Sequence, residues 1–331
     1  MSATRVAVLG AGSWGTALGA LLVKGGAETV LWTVEGEVAA QIAAQHENPK
    51  YLPGIPLPPA LRVTTDATAA LAGAEAVVWA IPLRYLREVA ERVAPEVPAG
   101  ATCVSVAKGL EPGSRRRPTQ IVADALPGRP TAALLGPSLA EEVARGVPTS
   151  VAACAADLGV ARGVQRLFHA DCVRVYTNDD LAGCEYGAAL KNIMAVAAGL
   201  SDGLGFGDNT KGALVTRGLA EMSRLGIALG GRRETFFGLT GVGDLVTTAF
   251  SPKSRNRYVG EQVGRGRPLA EVLGAMTQVA EGVPASQVAL ALARERGVEV
   301  PIIEQVVAVL FEGKSPRAAL LDLLARDPRR E

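Results

Sequence analysis

The sequence predicts an α/β fold: a doubly wound parallel sheet, followed by an all-helical C-terminal domain. Three observations lead there. Short apolar and β-branched runs alternate with helical patterns up to about residue 177, as in a sheet covered on both faces. A glycine triplet joins the first run to the first helix. Beyond residue 177, Ala- and Leu-rich stretches with helical spacing replace the strand-like runs. The expected domains are therefore residues 1–178 and 179–331. The boundary falls at Asn178-Asp179-Asp180, a segment suited to capping a helix.

The first run, 6–9, meets Gly10, Gly12 and Gly15 in G-x-G-x-x-G spacing, and a helical pattern follows through Ala17, Leu18, Leu21 and Leu22. Strand, glycine turn and helix together mark a Rossmann-type dinucleotide site. Gly10 permits the tight turn, Gly12 admits a pyrophosphate against the backbone, and Gly15 lets helix and strand pack closely. The helix N-terminus adds N–H donors and a positive dipole end. Further strands are expected at 29–32, 76–81, 102–106, 132–135 and 149–153. The proline-rich stretch 49–59 is expected to be a surface loop, and 127–130 a turn. In the second half, helices are expected at 181–200, 212–229, 284–296, 301–311 and 316–325, with Pro284, Pro301 and Pro316 in first turns. Such an arrangement suggests a cleft between the two domains.

Composition narrows the function. A chain of 331 residues, 48% hydrophobic and 20% charged, can bury a large core without disulfides or metals. Its net charge of +1 gives no field favouring nucleic acid or a membrane surface. The run Arg115-Arg116-Arg117 reads as a solvated loop. No signal peptide and no membrane-spanning run are expected. Cys103, Cys154, Cys172 and Cys184 are scattered without a C-x-x-C pair, which suits reduced thiols and a cytoplasmic protein. Only His46 and His169 are present, so neither a zinc site nor a histidine base is expected, and no metal is predicted.

Lysine is scarce, and two lysines sit in apolar surroundings. Lys108 follows the run 102–106, at the carboxyl edge where ligands bind in doubly wound sheets. Lys191 lies mid-helix among Ala188, Ala189, Leu190, Ile193 and Met194, with Asn192 beside it. Burial there lowers a lysine pKa toward neutrality, which suits proton transfer, whereas snorkelling to the surface is the alternative. Gly241-Val242-Gly243-Asp244-Leu245, with Thr248 one turn on, is either a helix start or a carboxylate that orients the lysine. Ser254-Arg255-Asn256-Arg257 fits a phosphate site at a helix N-terminus. Gly136-Pro137-Ser138 follows the run 132–135, again at the carboxyl edge. Together these parts suggest hydride transfer to a small phosphorylated carbonyl compound.

Nearly the whole chain resembles the bacterial NAD(P)-dependent glycerol-3-phosphate dehydrogenases. The resemblance rests on Gly-Ala-Gly-Ser-Trp-Gly-Thr-Ala at 10–17, Lys108-Gly109-Leu110-Glu111, Gly136-Pro137-Ser138 with Ala140 and Glu142, and Ala189-Leu190-Lys191-Asn192. It continues through Thr216-Arg217-Gly218-Leu219-Ala220-Glu221-Met222, residues 241–245, 254–257 and Glu281-Gly282. It implies interconversion of dihydroxyacetone phosphate and sn-glycerol 3-phosphate, feeding glycerophospholipid synthesis. It implies Lys191 as general acid and base, with Lys108, Asn192, Asp244 and Thr248 around the reacting centre. Lys108, Gly136, Ser138, Lys191, Asp244, Ser254, Arg255 and Asn256 would hold substrate. Ser13, Trp14, Lys108, Ala140, Arg255, Val279 and Glu281 would touch the cofactor, beside Gly10, Gly12 and Gly15. A homodimer is the assembly to test.

One departure bears on the cofactor. Family members often carry a basic residue shortly after the second strand, where this chain has Val34. Glu35 follows, about 20 residues after Gly15, the spacing of the acid that binds the ribose 2′-hydroxyl in NAD enzymes. The chain is therefore expected to prefer NAD over NADP. The rival readings are a two-domain 3-hydroxyacid dehydrogenase with a helix lysine, and a sensor of the NADH/NAD ratio that does not turn over.

Overall fold

A computed structural model of the chain describes residues 3–276 and 278–326. These divide into two compact units. The first holds the residues up to Lys108 together with Arg117–Leu181, and the second holds Gly109–Arg116 together with the chain from Ala182 onward.

The first unit is an eight-stranded sheet. Its strands are β1 (Arg5–Leu9), β2 (Glu28–Trp32), β3 (Arg62–Thr64), β4 (Ala76–Trp79), β5 (Thr102–Ser105), β6 (Thr131–Leu135), β7 (Thr149–Cys154) and β8 (Val173–Asn178). They lie in the order β3-β2-β1-β4-β5-β6-β7-β8. The reversal beside β1 is the switch point where such sheets bind ligands. Val6 and Val8 join one core cluster and Ala7 and Leu9 the other; Ala76 and Val78 likewise face away from Val77 and Trp79. Both faces are thus buried by alternate side chains, which is why these strands read as unbroken apolar runs.

The sheet departs from the expected one in three places. β7 runs antiparallel to β6, pairing Leu135 with Ala152 and Ala133 with Cys154. β8 adds an outer strand parallel to β7. It buries Val173 and Val175 and exposes Arg174 and Tyr176, so its signal is half-buried alternation rather than an apolar run. β3 is only three residues long, too short to show a period. The stretch 49–59 also differs from a plain surface loop: Leu52, Ile55 and Leu57 are buried in the core.

The second unit is helical. Its central helix, Leu181–Gly203, is buried at every position from Gly183 to Ser201, the mark of a helix packed on all sides. Helices Asp208–Ala228, Gly282–Arg296, Pro301–Phe311 and Pro316–Leu324 stand where helical spacing predicts them. The stretch between Arg233 and Gly274 adds short helices that a long-period search overlooks: Arg233–Phe236, Asp244–Phe250, Arg255–Gly264 and Leu269–Gly274. The run 115–117 is a loop as expected, and Arg115 pairs with Glu295 of this unit while both side chains keep access to solvent. Among the described residues no helix is long and apolar enough to cross a membrane, and no group of three or more His, Cys, Asp or Glu side chains could hold a metal ion.

Candidate active site

In the first unit the glycine turn has the geometry its spacing predicts. Gly10 sits at φ +108°, and a Cβ there would lie 2.4 Å from the Ala80 carbonyl oxygen. A Cβ on Gly15 would lie 1.9 Å from the Gly10 carbonyl oxygen. Both positions therefore demand glycine. Gly12 differs: a Cβ there would meet no protein atom within 4 Å, so the absent side chain opens the turn to a ligand. Gly12 is also the N-cap of helix Ser13–Lys24 and offers no side-chain cap, leaving first-turn N–H groups for an anion. Ser13 and Trp14 open this helix. These residues fit a dinucleotide pyrophosphate.

At the carboxyl ends of β5 and β6 stand Lys108, Gly136 and Ser138. The Lys108 ammonium donates to the Gly136 carbonyl at 2.9 Å, and the Ser138 hydroxyl donates to the same oxygen at 3.0 Å. Gly136, at φ +128°, adopts a backbone that presents this carbonyl without steric cost. Ala140 opens the short helix that follows.

Glu35 lies just beyond β2, as the N-cap of helix Gly36–Gln45. Its carboxylate caps no N–H of that helix. It accepts instead from the Tyr51 hydroxyl at 2.7 Å and pairs with Lys50. Partial burial alone would raise its pKa, yet the bonds from Lys50 and Tyr51 hold it below the ordinary carboxylate value.

In the second unit Lys191 is 5% exposed, and its ammonium is held from two sides. It donates to Asp244 Oδ1 at 3.0 Å and to Thr248 Oγ1 at 2.7 Å. Thr248 donates in turn to the Asp244 carbonyl at 2.7 Å. Asp244 begins helix Asp244–Phe250, directly after the glycine-rich turn Leu239–Gly243. A Cβ on Gly241 would come within 2.1 Å of the Phe236 carbonyl oxygen, so the turn that delivers Asp244 requires glycine there. Of the two readings of a lysine in an apolar helix, burial with a paired charge is the one realised.

Asn192, one residue on, accepts from Asn256 Nδ2 at 2.8 Å. Asn256 Oδ1 accepts from the Gly282 backbone N–H at 2.9 Å. Asn256 thus ties the lysine helix to the start of helix Gly282–Arg296, where Glu281 is the N-cap and Val279 lies just ahead. Ser254 caps helix Arg255–Gly264 by accepting the Arg257 N–H at 3.2 Å. Arg255 reaches solvent, but the protein crowded around it lowers its pKa while the Glu281 charge opposes that. Arg257 is a structural partner, donating to Asp202 at 2.6 Å.

Each predicted residue therefore falls into one of two groups. Gly10, Gly12, Ser13, Trp14, Gly15, Glu35, Lys108, Gly136, Ser138 and Ala140 belong to the first unit. Lys191, Asn192, Asp244, Thr248, Ser254, Arg255, Asn256, Val279 and Glu281 belong to the second. Sequence reasoning overlooked Asn48, Lys50 and Tyr51, which reach the glycine turn and Glu35 from the start of the proline-rich stretch and the residue just ahead of it.

Comparison with known proteins agrees with this anatomy. Residues 5–161 match the family described as NAD-dependent glycerol-3-phosphate dehydrogenase N-terminus, and residues 180–321 match its C-terminus. A glycerol-3-phosphate dehydrogenase [NAD(P)+] from Chlorobium limicola is 49% identical over 330 residues, 99% of either chain. One of the same name from Citrifermentans bemidjiense is 47% identical, over 99% of either chain. The crystal structure of glycerol-3-phosphate dehydrogenase from Coxiella burnetii superposes with a TM-score of 0.93 at 38% identity, covering 98% of this chain and 99% of that one.

Proposed function

Because the chain belongs to the NAD-dependent glycerol-3-phosphate dehydrogenase family, we propose that it reduces dihydroxyacetone phosphate reversibly to sn-glycerol 3-phosphate. The observation that carries this reading is the buried Lys191 ammonium, oriented by Asp244 and Thr248. A nicotinamide dinucleotide held on the glycine turn would supply the hydride.

The protein's own part is position, charge and a proton. As the C2 carbonyl is reduced, negative charge develops on its oxygen, and Lys191 Nζ delivers a proton there. The amine left behind recovers a proton from solvent. In the oxidative direction the same amine removes the alcohol proton. Asp244 pairs with the ammonium, and Thr248 fixes its direction. One ketone, one NAD(P)H and one proton give one alcohol and one NAD(P)+.

The N-terminus of helix Arg255–Gly264, with Ser254, Arg255 and Asn256, suits the substrate phosphate: backbone dipole, hydroxyl, amide and guanidinium lie on successive residues. Lys108, with Gly136 and Ser138, adds a cation and polar groups for substrate. Ser13, Trp14, Ala140, Val279 and Glu281 serve the cofactor, and Asn192 supports the lysine helix against Asn256. Glu35 favours NAD(H), because its carboxylate accepts ribose hydroxyls and repels a 2′-phosphate. The product would feed glycerophospholipid synthesis in the cytoplasm, and the enzyme would act as a homodimer.

The test is NADH oxidation by pure folded protein with dihydroxyacetone phosphate, beside phosphate-free dihydroxyacetone and a panel of 3-oxo acids. Turnover is expected with the phosphorylated ketone, at a higher kcat/KM with NADH than with NADPH. No turnover with it, or faster turnover of a 3-oxo acid, overturns the reading.

A further inference from the structure

The stretch that sequence reading passes over as a loop is a strap across the dinucleotide turn. Asn48 is fully buried, and its Nδ2 donates to the Ala11 carbonyl at 2.8 Å and to Thr16 Oγ1 at 2.8 Å. Its Oδ1 accepts the Tyr51 backbone N–H at 3.2 Å. One side chain thus fastens the strap to the residue between Gly10 and Gly12. From that clamp two side chains reach Glu35, one on each carboxylate oxygen: Tyr51 on Oε1 at 2.7 Å and Lys50 on Oε2. The Lys50 side chain is half exposed, and its ammonium lies 5.1 Å from the centre of the Tyr51 ring.

We propose that Lys50 is a cofactor-specificity residue: it neutralises Glu35 and supplies the cation that lets this chain accept the 2′-phosphate of NADP(H). This rests on the reading that the adenosine ribose of the dinucleotide lies at Glu35. A carboxylate alone at that position admits the ribose hydroxyls and repels a phosphate. A carboxylate already paired with a lysine presents a different surface. The ammonium has three donors on a flexible stem, so it can bridge Glu35 and a phosphate at once. Tyr51 holds the other carboxylate oxygen, so the orientation of Glu35 does not depend on the lysine staying in place. The clamp at Asn48 fixes the distance between this pair and the glycine turn, which would hold the pyrophosphate. Glu35 sets the preference for NAD(H), and Lys50 limits how strongly NADP(H) is refused.

Direct binding tests this without turnover. Dissociation constants for NADH and NADPH are measured by calorimetry on the full chain, in the wild type, Lys50→Gln, Lys50→Arg and Glu35→Gln, at low and high salt. Lys50→Gln is expected to raise the NADPH/NADH ratio of Kd about tenfold, the scale of a charge-assisted phosphate contact. Lys50→Arg should keep the ratio within about twofold, since the cation remains. Glu35→Gln should lower it, and the Lys50→Gln effect should shrink at high salt because the pair is exposed. A ratio unmoved by Lys50→Gln, with the wild-type Tm retained, overturns the proposal. If neither dinucleotide binds the wild type, this proposal and the dehydrogenase reading fall together. If the ratio shifts as expected but dihydroxyacetone phosphate is not reduced, this inference stands and the substrate reading falls.

Discussion

Lys191 carries the proposed proton transfer, and its surroundings make that role testable. Its charge is kept in the interior by one carboxylate and one hydroxyl. Lys191→Ala is expected to abolish turnover while dinucleotide still binds, since the glycine turn belongs to the other unit; near-normal kcat would reject the role. The same substitution removes the ammonium paired with the buried Asp244 carboxylate, at a cost of about 3–5 kcal/mol, and adding Asp244→Asn should restore much of the lost Tm. Arg255→Ala should act differently, raising KM for dihydroxyacetone phosphate about tenfold or more with little change in kcat; a pure kcat effect would contradict phosphate binding. Lys191 and Asp244 are legible in sequence because a cation in an apolar helix and an acid after a glycine turn both break local pattern. Their contact is not legible, since it joins positions 53 residues apart. Asn48 and Tyr51 break no pattern at all. Polar residues in a proline-rich stretch look like solvent-facing loop, and only the fold reveals what they bond.

At the scale of elements, the lysine helix is held against helix Arg255–Gly264 by glycines on both partners. Gly199 and Gly203 face Gly260 and Gly264, each pair one helical turn apart. A Cβ on Gly199 would lie 2.0 Å from the Arg257 carbonyl oxygen, and one on Gly260 would lie 2.0 Å from that of Val196. The backbones are in direct contact, which lets short side chains such as Asn192 and Asn256 bond between the helices at 2.8 Å. Gly199→Ala must push the helices apart. It is expected to cost about 1–3 kcal/mol, read as a lower Tm, and to reduce kcat through the displaced lysine helix. Unchanged Tm and kcat would show that the crossing relaxes freely. The long helices and central strands are legible because their periods extend over many residues. β3, β8 and the short helices between 233 and 274 are less so, because they depend on tertiary neighbours rather than on a sustained pattern. The antiparallel turn of β7 has no local signature, since an apolar run reads the same in either direction.

Over the whole molecule, two units with separate cores imply that stability has separate contributions, and one of them titrates. Glu221 is 1% exposed, on helix Asp208–Ala228. It accepts the N–H groups of Ile302 at 2.9 Å and Ile303 at 2.8 Å, capping helix Pro301–Phe311 from a distant part of the chain. Burial pushes its carboxyl up to about 7 from 4.5, against the two N–H bonds and the Arg224 charge, while the Glu304 charge adds to the rise. The folded state therefore holds a proton between pH 4.5 and 7 that the unfolded chain releases. Its contribution is full below pH 4.5 and is lost as pH rises through 7. The shift corresponds to about 3 kcal/mol. Urea unfolding of the full chain from pH 4.5 to 8 should show that decline, and Glu221→Gln, neutral throughout, should flatten it. Parallel profiles for the two proteins would mean that the two N–H donors and the helix dipole keep the carboxylate ionised. Glu221→Ala should cost about 2–4 kcal/mol, because two buried donors at a helix start lose their acceptor. Since Glu221 belongs to the unit that carries Lys191, a pH-driven loosening of this cap should lower turnover only where unfolding of that unit is also measurable. Activity that falls while the unit stays folded would show that the decline does not run through this cap.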